Sequence, residues 1–403
     1  MSRINYLIVK AMNAIRSGVF IEKFSLFLKN TFQRYFFIPL AYFFSHKKYK
    51  VKDIKKGYAD HRNKNLVNKI SDDDIKRIID AYKKSKESQI KAPENFAIRG
   101  LWDEWIKVNY KEVIISLKNE DLKSLRDIFN NLFRERCGIG TGGYDEYLRY
   151  RSFLGTYYLK YVWNLYFKKL LDIDFDLNKL DFPLVGNPCG IIYDKKIIPI
   201  EALRHAYRAN EINNLVKNYE KPKIVEIGGG LGGLVFQLFN LEKNKNKNFI
   251  LFDIPEVVAL SSFFLISSFP EKEIVLFGEE DISFVNKDKF DLAILPHFTV
   301  EILQESSVDV FYNSCSFSEM DKKSSGAYLE IIEKASKKYF MHDNHDYQFS
   351  FNYTNEVSSE NIIGSRLIPD DSLFKRIYKK PRVHGLPEDK AFTHFEYLYE
   401  KIK

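Results

Sequence analysis

The segment from Lys223 to Leu238, KIVEIGGGLGGLVFQL, constrains the fold more than any other part of this 403-residue chain. Lys223 to Ile227 is an apolar run too short for a buried helix. A glycine cluster follows, then apolar residues at helical spacing, which predicts a strand, a tight turn and a helix N-terminus. Glycines let the backbone approach a ligand closely, and the first helical amides, at the positive dipole end, favour acceptor groups. Such a turn suits a nucleotide-like ligand. Gly228, Gly230 and Gly233 also satisfy the GxGxxG dinucleotide fingerprint, so the glycines leave the ligand class open.

Glu226 separates the two classes. It stands at the carboxyl end of the expected strand, where a carboxylate repels a pyrophosphate but accepts hydrogen bonds from the ammonium of a methionyl group. With Gly229 inside the cluster, Glu226-x-Gly228-x-Gly230-x-Gly232 resembles the first motif of class I S-adenosylmethionine-dependent methyltransferases. A second acid arrives about 20 residues beyond the glycines, the offset of a ribose-binding carboxylate. It is Asp253, closing the apolar strand Asn248–Asp253, and it is expected to take both ribose hydroxyls. Ile254 is placed to lie against the adenine face. Pro255 then opens a helix that runs toward Pro270.

A hydrophobic fraction of 45% and this length imply a large core, divided here as a basic aromatic arm (1–60), an α-helical domain (61–183) and a nucleotide-binding domain (184–403). The net charge of +8 is spread thinly enough that nucleic-acid binding is not called for. The arm is the exception, with twelve Lys and Arg from Arg3 to Lys56 against Glu22 and Asp53. Its run Tyr35 to Phe44 is too short to span a bilayer and contains Pro39, and no signal-peptide cleavage pattern follows the early apolar residues. A cytoplasmic location follows, with the arm either resting on an anionic membrane surface at the inner face or packing on its own or a second subunit in a homo-oligomer. Cys137, Cys189 and Cys315 fit no zinc or CxxC spacing and suit a reducing compartment.

Along the chain, Ser71 followed by Asp72, Asp73 and Asp74 marks a helix start, with Ile75, Ile78, Ile79 and Tyr82 on one face. Trp102 to Leu171 reads as helical, interrupted by a glycine-rich turn from Gly138 to Gly143. A helix from Ile200 precedes the first strand and offers Arg204, His205 and Tyr207 to the methionyl carboxylate or to substrate. Ile274–Phe277 and Phe290–Pro296 compete as third strand. The second is favoured, with His297 and Phe298 near the adenine; Asp281 is the matching acid if the first is correct. Val308–Ser314 is the fourth strand, and Asn313 and Ser314 begin a polar run to Met320 facing the transferred methyl. A fifth strand, Lys338–Met341, is expected to end before His342, Asp343, Asn344, His345 and Asp346, with antiparallel strands closing the sheet near Tyr397.

With Val185–Gly190, the glycine motif, Asp253 and the run NSCSFSEM from Asn313 in this order, the chain from about Leu184 onward resembles the sugar O-methyltransferase family. The resemblance implies a Rossmann-like α/β fold, a seven-stranded, mostly parallel sheet, with S-adenosylmethionine as cofactor and a sugar or glycan hydroxyl as acceptor. A weak hydroxyl nucleophile calls for a base, worth about 10² to 10⁴ in rate. His345 ranks first because Asp343 and Asp346 flank it; His342, Glu319 and His297 follow. The His342, Asp343, His345 and Asp346 cluster is also a possible divalent-metal site, though no metal is expected. The rival readings are an NAD(P)-dependent oxidoreductase and a non-catalytic donor-binding subunit.

Overall fold

The computed structural model describes residues 51–62, 70–99, 101–241, 247–287, 289–346, 350–351, 359–369, 372–382 and 394–402, together with 36 and 40. Apart from those two positions, the arm before residue 51 and the membrane-surface expectation attached to it lie outside the described residues. Among the described residues, no helix is long and apolar enough to cross a membrane.

The first half is helical: α1 (Val51–Gly57), α2 (Asp72–Gln89), α3 (Leu101–Asn109), α4 (Lys111–Lys118), α5 (Leu122–Phe129), α6 (Tyr144–Tyr150) and α7 (Phe153–Asp172). α2 starts where the acids predict, since the Asp74 amide donates to the Ser71 hydroxyl at 3.0 Å. Its Ile75, Ile78, Ile79 and Tyr82 are buried. Each such side chain contributes about 1.5–3 kcal/mol of apolar burial.

A hairpin of β1 (Ile191–Tyr193) and β2 (Lys196–Ile198), then helix α8 (Ile200–Leu215), lead to the central layer. There β3 (Lys223–Ile227), α9 (Gly233–Leu241), β4 (Asn248–Asp253), α10 (Pro255–Ser268), β5 (Ile274–Leu276), β6 (Leu292–Pro296), β7 (Val308–Ser314), α11 (Lys322–Ala335) and β8 (Ser336–His345) alternate strand and crossover. A short pair, β9 (Ser350–Phe351) with β10 (Ser359–Glu360), stands apart. β11 (Phe374–Pro381) and β12 (His394–Lys401) return antiparallel along β8. The sheet order is β11-β12-β8-β7-β3-β4-β6-β5, parallel from β8 through β5. This is a Rossmann-like α/β sheet.

It differs from expectation in two places. Eight strands stand where seven are expected, because Ile274–Leu276 and Leu292–Pro296 are both strands and the former adds an outer edge beyond β6. Asp281 is no ligand acid: it caps a turn by accepting from the Ser283 amide at 3.0 Å. The second difference is β8, which continues through His345 instead of ending at Met341. Neighbours satisfy part of its polar run, as where Asn344 Nδ2 donates to Asn313 Oδ1 and Ser314 Oγ to Asp343 Oδ1, at 2.8 and 2.7 Å.

Apolar residues cover both faces of the sheet. The helical half shares one continuous core with one face; Phe129 of α5 stacks on Phe263 of α10 with ring centroids 4.7 Å apart.

Candidate functional site

The parallel strands end in a cleft at their carboxyl edge, where an open α/β sheet binds ligands. The glycine turn is fixed before anything binds. Gly228 N donates to Phe252 O at 2.8 Å, and Gly230 N to Asp253 Oδ2 at 2.8 Å. Gly228 and Gly230 have φ of +74° and +55°, and a Cβ at Gly228 would overlap the Ser316 side chain. Only glycine suits that position.

The cleft has two chambers. The first is lined by Asp253, Ile254, His297, Tyr328, and Phe96 to Arg99 with Trp102 from the helical half. The second is lined by Glu226, Gly229, Leu231, Gly233, Glu201, Arg204, His205, Tyr312 and Asp343. They meet at Gly140, Gly228, Gly230, Ser314, Cys315 and Glu319, which border both. Both chambers open to solvent, and their empty volumes of about 910 and 1150 Å³ include that open space.

Two acids define the chambers. Asp253 accepts from the amides of Gly230 and Ile254. Burial nevertheless pushes its carboxyl up to about 7 against those bonds. Glu226 is 5% exposed, and among the described residues its Oε2 has no hydrogen-bond partner. Burial first, then Asp253 and Asp343, raise its carboxyl well above the usual range. A buried carboxylate oxygen without a donor is costly. A cationic donor in the second chamber would satisfy it.

Arg204, also on that chamber, pairs with Glu201 at 2.6 Å. Asp343 sits deeper, held by Arg208 Nη2 and the Tyr312 hydroxyl at 3.2 and 3.0 Å. Arg382, also at 3.2 Å, and Arg208 bring its carboxyl down to about 2 against the effect of burial. Glu319 accepts from the Trp102 indole at 3.1 Å, and burial raises its carboxyl.

Several residues expected at the site are elsewhere. His342 is fully buried on the far face of β8, stacked on Tyr397 with centroids 4.6 Å apart, and burial pushes it down to about 3. His345 lies edge-on to His394 at 4.0 Å, is likewise pushed down to about 3, chiefly by burial, and lines neither chamber. Both are corrections that follow from the longer β8. Tyr207 faces away from the cleft, with the Lys380 ammonium 5.8 Å from its ring. Asn313 is fully buried and donates to Ile227 O at 2.8 Å, so it braces the turn and touches neither chamber. Gly232 (φ +83°) is also absent from the lining; a Cβ there would press on Leu265. His297 does reach the first chamber, with Nε2 2.7 Å from Phe96 O. Ser314 and Ile254 line the cleft too.

His342, Asp343 and His345 on β8, and Asp346 just after it, do not converge on one point. Asp343 belongs to the arginines, and Asp346 to Lys379 at 2.7 Å. Among the described residues, no group of three or more His, Cys, Asp or Glu could hold a metal ion.

Sequence reasoning missed Glu201, the Arg208 and Arg382 partners of Asp343, and the roof made by Phe96 to Arg99 with Trp102. Nothing local marks Arg208, Arg382, Phe96 or Trp102, since Asp343, His297 and Glu319 are distant from them in the chain; Glu201 pairs locally, with Arg204.

No protein-family model matches the chain, and no curated protein matches it. Solved structures do match. A protein of Galdieria sulphuraria assigned as a sarcosine dimethylglycine methyltransferase has 11% identity and a TM-score of 0.34, over 50% of this chain and 88% of that one. Magnesium protoporphyrin IX methyltransferase of Synechocystis PCC 6803, solved with bound S-adenosylmethionine, has 9% identity and a TM-score of 0.32, over 50% and 81%. Mitomycin 7-O-methyltransferase has 12% identity and a TM-score of 0.31, over 50% and 56%. At such values the reading of the site rests on its own residues.

Proposed function

We propose that this chain is an S-adenosylmethionine-dependent O-methyltransferase acting on a sugar hydroxyl of a glycan or an activated sugar. The observation that carries the donor assignment is the partnerless Glu226 Oε2, buried on the second chamber one strand away from Asp253. An ammonium satisfies it, whereas the pyrophosphate of a dinucleotide would be repelled. The residues present fit the donor: Asp253 with the ribose, Ile254 and Phe96 beside the adenine, Glu226 with the amino group and Arg204 with the carboxylate.

When bound, the donor supplies an electrophilic methyl on a sulfonium. The protein's task is chiefly to align an acceptor oxygen with it, which supplies roughly 7–11 kcal/mol in favourable cases. With the ribose at Asp253 in the first chamber and the methionyl group at Glu226 in the second, this reading puts the reacting atoms at the junction, which Ser314, Cys315 and Glu319 border. Glu319 is the carboxylate there, and its raised affinity for a proton brings it nearer the working pH of a general base. It takes the hydroxyl proton as the O–CH3 bond forms and the S–CH3 bond breaks. The sugar assignment is supported by the sequence resemblance and by the indole of Trp102 beside polar groups at the junction.

The test is incubation with methyl-labelled donor and a panel of glycans and nucleotide sugars, followed by mass spectrometry. A gain of one methyl on a sugar hydroxyl is expected. Transfer only to a non-sugar acceptor would remove the sugar assignment, and absence of donor binding would remove the whole reading.

A further inference from the structure

We infer that Trp102, carried by the helical half, is a positioning residue for this reaction: its indole N–H holds Glu319 over the junction in the orientation and ionised form that accept a proton. The inference rests on Glu319 acting as the base.

Trp102 and Glu319 are 217 residues apart, yet Nε1 lies 3.1 Å from Oε2. The indole has one donor, and here it is spent on a carboxylate that borders both chambers. Both partners are immobilised from behind. Trp102 meets Trp105 edge-on at 5.4 Å and Tyr110 at 6.5 Å. The Gly140 turn closes over this group: its φ is +76°, a Cβ there would overlap the Trp105 ring, and the Tyr110 hydroxyl donates to Ile139 O at 3.2 Å. Glu319 ends a short turn, Ser316–Glu319, in which Ser318 Oγ donates to Cys315 O at 2.7 Å and Ser318 N to Asn344 Oδ1 at 3.1 Å. The two halves of the chain thus fix the two ends of one hydrogen bond at the place where the reaction occurs.

The charged and titratable groups facing Glu319 from other elements are Arg382 after β11 and Asp253 at the end of β4, with the Cys315 thiol on its own loop. Against the desolvation that opposes it, the Trp102 hydrogen bond and the Arg382 charge favour the ionised carboxyl. A hydrogen bond to a carboxylate also fixes which lone pair remains for the acceptor hydroxyl. Removing the indole donor should therefore raise the affinity of Glu319 for its proton and loosen its aim.

The experiment uses the full chain with 13C-carboxyl-labelled glutamate, saturated with S-adenosylhomocysteine, the Glu319 signal being assigned by its loss in Glu319→Gln. In Trp102→Phe the Glu319 titration midpoint should rise by about one pH unit or more, with the affinity for S-adenosylhomocysteine unchanged. The acid limb of kcat should shift upward with it, and activity should recover at high pH. Trp102→His, which restores a ring N–H, should return part of the shift. An unmoved midpoint, a rate loss that high pH does not recover, or weakened S-adenosylhomocysteine binding in Trp102→Phe would overturn the inference. If the midpoint moves but the wild-type protein methylates nothing, the contact survives as an electrostatic one, while its catalytic role and the proposed function both fall.

Discussion

The Gly230 amide donates to Asp253 Oδ2 at 2.8 Å, tying the turn that follows β3 to the last residue of β4. On the proposed reading the same carboxylate also receives the ribose hydroxyls, which would add a binding role to the structural one. Asp253→Ala should weaken S-adenosylmethionine binding at least tenfold, about 1.4 kcal/mol, and lower the melting temperature of the free protein as well. Calorimetric titration and a thermal melt read the two effects separately.

Asp253 also makes the free protein's stability depend on pH. Its folded carboxyl titrates at about 7, against about 4 in an unfolded chain. Because the folded value is the higher one, this contribution is fully present below about pH 4 and is lost as pH rises through about 7. The melting temperature of the free protein should therefore fall between about pH 4 and 7, the span set by those two values, and Asp253→Asn should flatten that fall. On the proposed reading the donor binds ionised Asp253, so binding should release protons and tighten as pH rises toward about 7. Titrations in buffers of different ionisation enthalpy measure the release.

Glu226→Gln separates binding from folding. The buried carboxyl has no partner on Oε2 in the free protein, so replacing it with an amide should leave stability unchanged or higher. Donor affinity should drop at least tenfold, about 1.4 kcal/mol. A variant that binds the donor normally would show that the ammonium lies elsewhere.

The bases can be ranked by rate. Glu319→Gln should lower kcat by about 10² to 10⁴. His345→Ala and His342→Phe should leave kcat close to wild type, since neither ring lines a chamber. A collapse of turnover in His345→Ala, with folding intact, would reverse the ranking.

The sequence made the strand and turn at Lys223–Gly233 legible because that signal is local: a short apolar run, then glycines whose backbone geometry admits little else. The same holds for Asp253 followed by Pro255, and for the Ser71 cap. The misreading of His342 to His345 has the opposite origin. Four polar residues look like a loop, but their hydrogen-bond and ion-pair partners, among them Asn313, Arg208 and Arg382, come from elsewhere in the chain and let the strand continue. Tyr207 was unreadable for a related reason: a helix from Ile200 predicts that one face meets the cleft, but only packing decides that Arg204 and His205 lie on it. The roof residues Phe96 and Trp102 reach His297 and Glu319 across 201 and 217 residues, a distance at which no spacing pattern exists.

The account depends most on a partnerless carboxylate at Glu226 meeting an ammonium instead of a diphosphate. Calorimetric titration of the full chain with S-adenosylmethionine and, separately, with NAD tests this directly. The account predicts saturable binding of S-adenosylmethionine that Glu226→Gln weakens, and no binding of NAD. Saturable NAD binding with no heat from S-adenosylmethionine would contradict it.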